Sequence, residues 1–178
     1  MLFDEVIGLE EIPEGENVIY RKAVRAIAFN SDNEVVMIRS RKGDYQFPGG
    51  GLENGESLLE TLRREALEEA AVVIADEARI IGVVEERRRS LETRDAYFVM
   101  RSTYYLCYVK GHADDQQLEC YEKEWGFTPV TIDIAEAYQQ NLAILERKDL
   151  VIPWLARDTF VLKCLLDNKA ELLKMGSV

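Results

Sequence analysis

Apolar residues cluster along the chain at two periods, and the switch between them predicts the elements. From Val18 to Phe29 the run VIYRKAVRAIAF is rich in Val, Ile, Tyr and Phe, and the turn-forming SDNE leads into a second apolar run, EVVMIR. A β-hairpin is predicted there. The next stretch, SRKGDYQFPGGGLENGE, is punctuated by Gly43, Pro48, Gly49, Gly50, Gly51 and Gly55, and reads as a long loop with no strand or helix. Helical spacing begins at Ser57. Its SLLE is a capping box, in which Ser57 accepts from an early helical N–H while Glu60 reaches back to the Ser57 amide, and the helix is predicted to run to about Ala70. ARIIGVVEERR and AYFVMRSTYYLCYVK then read as two strands joined by a charged loop, with FTPVTI as a shorter one. Asp133 opens a short helix to about Asn141, and Pro153 suits the first position of a last helix toward Met175. Strands alternating with three helices predict an α/β fold, a mixed sheet covered on its faces.

Composition narrows the picture. The chain has 178 residues, 47% of them hydrophobic and 31% charged, which suits one domain over residues 1–178 with a full core. The opening MLFDEVIGLEEIPEGE lacks a basic start and an apolar run, and no apolar segment is long enough to span a bilayer, so a soluble cytoplasmic protein is expected, with no membrane partner. Cys107, Cys120 and Cys164 are odd in number and far apart, which suggests ordinary reduced thiols and neither a disulfide framework nor a zinc site. His112 is the only histidine and lies in the turn-like GHADD, so histidine acid–base chemistry has little support. The formal charge of −11 argues against a nucleic-acid polymer as partner. It leaves room for a small phosphorylated substrate, provided bound cations reverse the local field.

The chemistry concentrates in GGGLENGESLLETLRREALEEAA, from Gly49 to Ala71. At the helical period Leu58, Leu59, Leu62, Ala66 and Ala70 share one arc, and Glu65, Glu68 and Glu69 an adjoining one. Periodicity alone allows two readings, a solvated face paired with Arg63 and Arg64 or acids turned toward a cavity. Two carboxylates about 5 Å apart repel by roughly 3 kcal/mol at an effective dielectric near 20. Acids confined against a glycine loop cannot splay into water to escape that cost, so a divalent cation would stabilise them. With oxygen donors and no nearby His or Cys, Mg2+ or Mn2+ is preferred over zinc. Glycines let the backbone approach such an ion, and the ions in turn would hold an anionic substrate, most simply a diphosphate.

This stretch resembles the Nudix hydrolase box. The box asks for Gly, five residues, Glu, seven residues, Arg-Glu, an aliphatic residue, any residue, Glu-Glu, any residue, Gly and an aliphatic; the chain supplies Gly50, Glu56, Arg64, Glu65, Ala66, Glu68, Glu69, Ala71 and Val72. FPGGG before it and AVRAIAF upstream also resemble the family. Ala71 departs from the closing glycine, which normally ends the helix in a left-handed conformation, so a shifted turn is expected. The resemblance implies an α/β/α sandwich with a mixed sheet. It also implies a Mg2+- or Mn2+-dependent hydrolase that cleaves a nucleoside diphosphate linked to another group. In that reading Glu65, Glu68 and Glu69 bind metal, Glu56 supports the cluster, Arg64 orients Glu65, and Gly49 offers its carbonyl.

Family members often add a glutamate from a loop outside the box as ligand or base. LECYEKEWGF offers Glu119, Glu122 and Glu124, with Glu122 preferred. Arg25 and Arg39 are candidates for phosphate contacts, and Tyr45, Phe47 or Trp125 for stacking on a base. Arg87, Arg88 and Arg89 beside Glu85 and Glu86 read as a salt-bridged rim or a homodimer contact. The proline that commonly follows the box in ADP-ribose-cleaving members is absent from EERRRS, and VVMIRSRKGDYQFPGG does not match the coenzyme A signature. The rival reading is a catalytically silent nucleotide-sensing module, which would not need the full acid set. A P-loop is excluded because GGGLENGES lacks the Lys-Ser/Thr ending.

Overall fold

The computed structural model describes residues 1–91, 93–147 and 149–175. The strands are β1 (Phe3–Gly8), β2 (Asn17–Phe29), β3 (Val35–Arg39), β4 (Tyr45–Gln46), β5 (Val72–Ile74), β6 (Arg79–Arg89), β7 (Ala96–His112) and β8 (Thr128–Ile132). The helices are α1 (Leu58–Ala70), α2 (Cys120–Trp125), α3 (Ile134–Leu145), α4 (Leu155–Asp167) and α5 (Lys169–Met175). The sheet is mixed, in the order β1-β6-β7-β2-β3-β4, with β8 on β3 and β5 on the far end of β7.

β2 is the spine, and its composition explains why. Residues 23–29 are all buried, because helices cover both sheet faces and a strand enclosed on both sides reads as a continuous apolar run. Val24, Ala26 and Ala28 pack with Leu62, Ala66 and Ala70 of α1. Ile27 and Phe29 point the other way, into a core with Ala137 of α3 and Val161, Leu162 and Leu165 of α4. The helices thus sit on opposite faces of an α/β fold, as predicted.

The predicted hairpin is only partly a hairpin. β2 meets β3 at a single pair, Phe29↔Val35, while its whole length runs parallel to β7. Below that pair the loop takes β3's place along β2: the Ala26 N–H donates to the Pro48 carbonyl (2.8 Å), the Val24 N–H to Gly50 (3.0 Å), and the Leu52 N–H to the Lys22 carbonyl (3.2 Å). β3 departs to pair with β4 and β8. The loop therefore contains a strand that its glycines and proline concealed: the turn at Ser40–Asp44 folds the chain back, and Asn141 bonds both the N–H and the carbonyl of Tyr45 at 2.8 Å.

Other expectations need correction. β1, parallel to β6, and the three-residue β5 were not anticipated, since their pairing comes from distant segments. LECYEKEWGF is not an open loop, because Cys120–Trp125 forms α2, closed by Gly126 at φ 67°. α3 runs to Leu145, beyond Asn141. The final helix is two helices, broken at Asn168, whose side chain bonds the Cys164 carbonyl (2.8 Å), and α4 begins after Trp154 and not at Pro153.

The capping box of α1 forms as predicted, with Ser57 and Glu60 bonding reciprocally. The shifted turn does not occur. Ala71 itself adopts the left-handed conformation, φ 52°, and its N–H closes onto Leu67 at 3.0 Å. A left-handed Ala costs about 1–2 kcal/mol, while glycine gives back about 0.4–1 kcal/mol through a freer unfolded chain. Ala71→Gly is expected to raise unfolding stability by about 0.5–1 kcal/mol, read as a higher urea midpoint at unchanged slope. An unchanged or lower midpoint would contradict the strain.

Candidate active site

α1 delivers its acids to the loop that borders β2. Glu65 and Glu69 are buried, at 8% and 2% exposure, and Glu68 is partly exposed. Arg64 does more than orient Glu65: its guanidinium bonds Glu56 (2.7 Å), Glu65 (2.9 Å) and Glu68 (3.0 Å). The hydrogen bonds from Arg64, with help from Thr61, hold the Glu56 carboxyl down at about 2. Burial pushes Glu65 up despite Arg64 and Arg25. It pushes Glu69 well above the usual carboxylate range, against the pull of Arg25 and the Gly49 N–H and with Glu65 and Glu122 adding repulsion.

The glycines have distinct duties. The Gly49 N–H donates to Glu69 Oε2 at 2.7 Å. Gly49 has φ 145°, and a Cβ there would overlap the Val24 carbonyl. A Cβ on Gly50 would strike the Glu65 carboxylate, and one on Gly51 the Arg21 guanidinium. The Gly49 carbonyl, expected to face a metal, accepts here from Arg25. Arg25 is 8% exposed, and its Nε is buried without a hydrogen-bond partner among the described residues.

Glu122 is the buried one of the three outside acids, at 3% exposure; Glu119 and Glu124 are exposed. Its Oε2 accepts the Glu119 N–H at 2.6 Å. α2 thus turns Glu122 inward, close enough to act on Glu65 and Glu69.

Beside Glu69 lies a cavity of about 310 Å3, lined by Arg21 and Arg25 of β2, Gln46 of β4, Phe98 of β7, and Tyr121 and Trp154. Glu86 and Arg88 of β6 and Arg157 of α4 complete its polar wall. Arg157, only 1% exposed, bonds Glu86 (2.9 Å) and both oxygens of Asp158 (3.2 and 2.9 Å), and Tyr104 also donates to Asp158 (3.2 Å). A buried guanidinium is tolerable only with such pairing. Sequence reasoning missed this wall; the signal was a charged Arg-Asp pair inside an otherwise apolar helix face. Of the arginine rim, Arg87 pairs with Glu85 (2.8 Å), while Arg88 and Arg89 lie over Phe98 and Tyr97 at 4.3 and 4.6 Å. Arg87 and Arg88 lie in β6, as the predicted ARIIGVVEERR strand requires, and Arg89 extends that strand by one residue.

The other substrate candidates lie elsewhere. Phe47 is fully buried, edge-on to Tyr104 at 5.8 Å, and has no face to offer a base. Arg39 is exposed at the end of β3, in register with Tyr45 and Thr128, and neither Arg39 nor Tyr45 lines the cavity. Trp125 packs on Trp154 at 4.7 Å. The structure therefore gathers Glu56, Arg64, Glu65, Glu68, Glu69, Gly49, Arg25 and Glu122, and leaves Arg39, Tyr45 and Phe47 outside.

The family model for the NUDIX domain matches residues 19–155. The chain belongs to the Nudix hydrolase family. Among curated relatives, the 8-oxo-dGDP phosphatase NUDT18 of Danio rerio is 43% identical over 75 residues, a match covering 39% of this chain and 22% of that protein. A NUDIX hydrolase from Nitrosomonas europaea superposes with a TM-score of 0.58 at 20% identity, over 85% of this chain and 89% of the other, which shows the shared Nudix fold.

Nudix hydrolases generally use divalent metals, and the residues fit one in type. Five carboxylates, Glu56, Glu65, Glu68, Glu69 and Glu122, face two guanidiniums, Arg64 and Arg25. Oxygen is the donor throughout, as Mg2+ and Mn2+ require. Among the described residues no three acids converge as a ligand set; Arg64, the Gly49 N–H and the Glu119 N–H hold them instead.

The glycines give a paired prediction. Gly49→Ala forces a positive φ and a backbone overlap, and should lose about 2 kcal/mol or more of stability. Gly50→Ala meets only the end of a flexible side chain, so its unfolding midpoint should stay within about 0.5 kcal/mol of the parent while Glu65 is displaced. Urea melts of both variants check this, and equal losses would refute the division of duties.

Proposed function

We propose that this chain is a Mg2+- or Mn2+-dependent pyrophosphohydrolase acting on a nucleoside diphosphate linked to another group, either a nucleoside triphosphate or a nucleotide derivative. The observation that carries the reading is the surplus of buried negative charge at Glu65, Glu69 and Glu122 beside a cavity walled by arginines and aromatic rings. Such a surplus is costly unless the working state supplies cations. We read the chain as one domain, because β1 and α4, which lie at or beyond the edges of the matched span, complete the sheet and its core. No described helix is long and apolar enough to cross a membrane, and a cytoplasmic small-molecule role agrees with that.

In this reading Glu65, Glu68 and Glu69, with Glu56 in support and the Gly49 carbonyl, would hold the metal. The bound ion supplies Lewis acidity at the phosphoryl oxygens and lowers the pKa of water. Arg64 keeps three acids from splaying. Glu122, enclosed by α2, takes the proton from the attacking water. Arg25 and Arg21 border the path of the phosphates, and Phe98, Tyr121 and Trp154 exclude water from the nucleoside end. The zebrafish relative's name makes 8-oxo-dGDP a first compound to try.

The deciding experiment incubates the protein with a panel of nucleoside di- and triphosphates and their derivatives, 8-oxo-dGDP included, with Mg2+. Released phosphate, pyrophosphate and nucleotide are measured. Turnover should vanish with chelator and return with Mg2+ or Mn2+. Glu69→Gln should lower kcat by about a hundredfold or more with little change in folding. Full turnover in chelator, or near-normal kcat for that variant, would overturn the proposal. Tight nucleotide binding without cleavage would instead support a silent sensing module.

A second comparison isolates the proton acceptor. Glu122→Gln should lower kcat strongly and flatten the acidic limb of the pH–rate profile, while Glu119→Gln and Glu124→Gln stay within a few-fold, because a base must lie within about 3 Å of the water it serves. Equal, mild effects at all three would return the role to Glu65 or Glu69.

A further inference from the structure

We propose that Gln46 reads the hydrogen-bonding edge of the nucleobase in the cavity beside Glu69. The inference rests on the nucleotide reading above and names the residue that would set base preference. Gln46 is 3% exposed and lines the cavity, yet its Nε2 has no hydrogen-bond partner among the described residues. A buried amide left unsatisfied forfeits the hydrogen bonds it would make to water. Such an atom in a stable fold calls for a partner that arrives from outside the chain.

The neighbouring polar groups are differently placed. Glu86 and Arg157 are paired with each other at 2.9 Å, and Glu69 takes the Gly49 N–H. Arg21, Arg25 and Arg88 are cations, suited to phosphate oxygens. Gln46 is the only neutral amide among the lining side chains. Its end offers a donor and an acceptor side by side, the complement of a base edge and a poor match for a phosphate.

The platform is rigid. β4 is laddered to β3 at Ile38↔Gln46, and Asn141 clamps both backbone groups of the preceding Tyr45 at 2.8 Å. Flat walls stand nearby. Phe98 lies under the Arg88 guanidinium, and the Trp154 ring is fixed by its N–H to Asp44 at 2.7 Å. A planar ring held by these aromatics would present its edge to Gln46.

The test uses the intact protein without metal and measures binding of adenosine, guanosine, 8-oxo-deoxyguanosine, cytidine and uridine by calorimetry and tryptophan fluorescence, with ribose 5-phosphate as the base-free control. Wild type should rank the nucleosides. Gln46→Met should weaken the preferred one at least tenfold, flatten the ranking and leave ribose 5-phosphate unchanged. Removing an unsatisfied amide should also leave the melting temperature equal or higher, whereas a merely structural glutamine would lower it. Gln46→Glu, which keeps the size and changes the donor pattern, should reorder the ranking, and it serves if the Met variant fails to fold. Absence of nucleoside binding by wild type, an unaltered ranking in both variants, or equal weakening of ribose 5-phosphate would overturn the proposal. No scissile bond or metal enters the assay, so failure of hydrolysis and failure of base reading are separate results.

Discussion

The site depends on the backbone pairing between the edge of β2 and the loop from Pro48 to Leu52. A sheet edge left open in a protein interior would strand its N–H and carbonyl groups. Here the loop satisfies the Val24 and Ala26 amides and the Lys22 carbonyl. Every other feature of the acid cluster hangs from that placement. Gly49 meets Glu69 and Arg25 and has backbone where a Cβ would stand, whereas a Cβ on Gly50 or Gly51 would push aside the end of Glu65 or Arg21. The glycines are there for proximity first and flexibility second.

Electrostatics then sets the character of the site. Glu65 and Glu69 are carboxylates taken largely out of water, and burial opposes their charge more than Arg64 and Arg25 support it. The fold tolerates this because Arg64 spreads its guanidinium over three acids and α1 is anchored by its adjoining, apolar arc. Across the cavity the balance is different. Arg157 is matched by Glu86 and Asp158 and has little left to give a ligand. One wall is electrically unfinished and the other closed.

How far the sequence disclosed this follows from the range of the interactions involved. α1 and its cap were legible because Ser57, Glu60 and the apolar arc act within a few residues of one another. The box was legible because four of its charged residues keep their spacing on that one helix, with Glu56 just before its cap. Glu122 shares its sequence context with Glu119 and Glu124, and what singles it out is its burial in α2, while the other two are exposed. β4 was hidden by glycine and proline, and its existence depends on Asn141, 96 residues away. Phe47 looked like a stacking ring because aromatic residues near a box suggest a base, yet the same apolar surface serves the core. The cavity wall, assembled from β6, β7 and α4, left one local trace, the charged Arg157-Asp158 pair among the buried positions of α4.

The single ladder pair between β2 and β3 has a mechanical meaning. The sheet is two panels sharing a seam: β1, β6, β7 and β2 form one, and β3, β4 and β8 the other. Gln46 rides on the smaller panel, whereas Arg25, Glu86 and Phe98 ride on the larger. In a continuous sheet the distance between such groups is fixed by a full run of hydrogen bonds. Here the ladder contributes one strand pair and the loop a few backbone bonds, so that distance is set chiefly by the two cores, which pack side chains of both panels together. The spacing of the panels is therefore kept by side-chain packing, where a continuous sheet keeps it by backbone bonds.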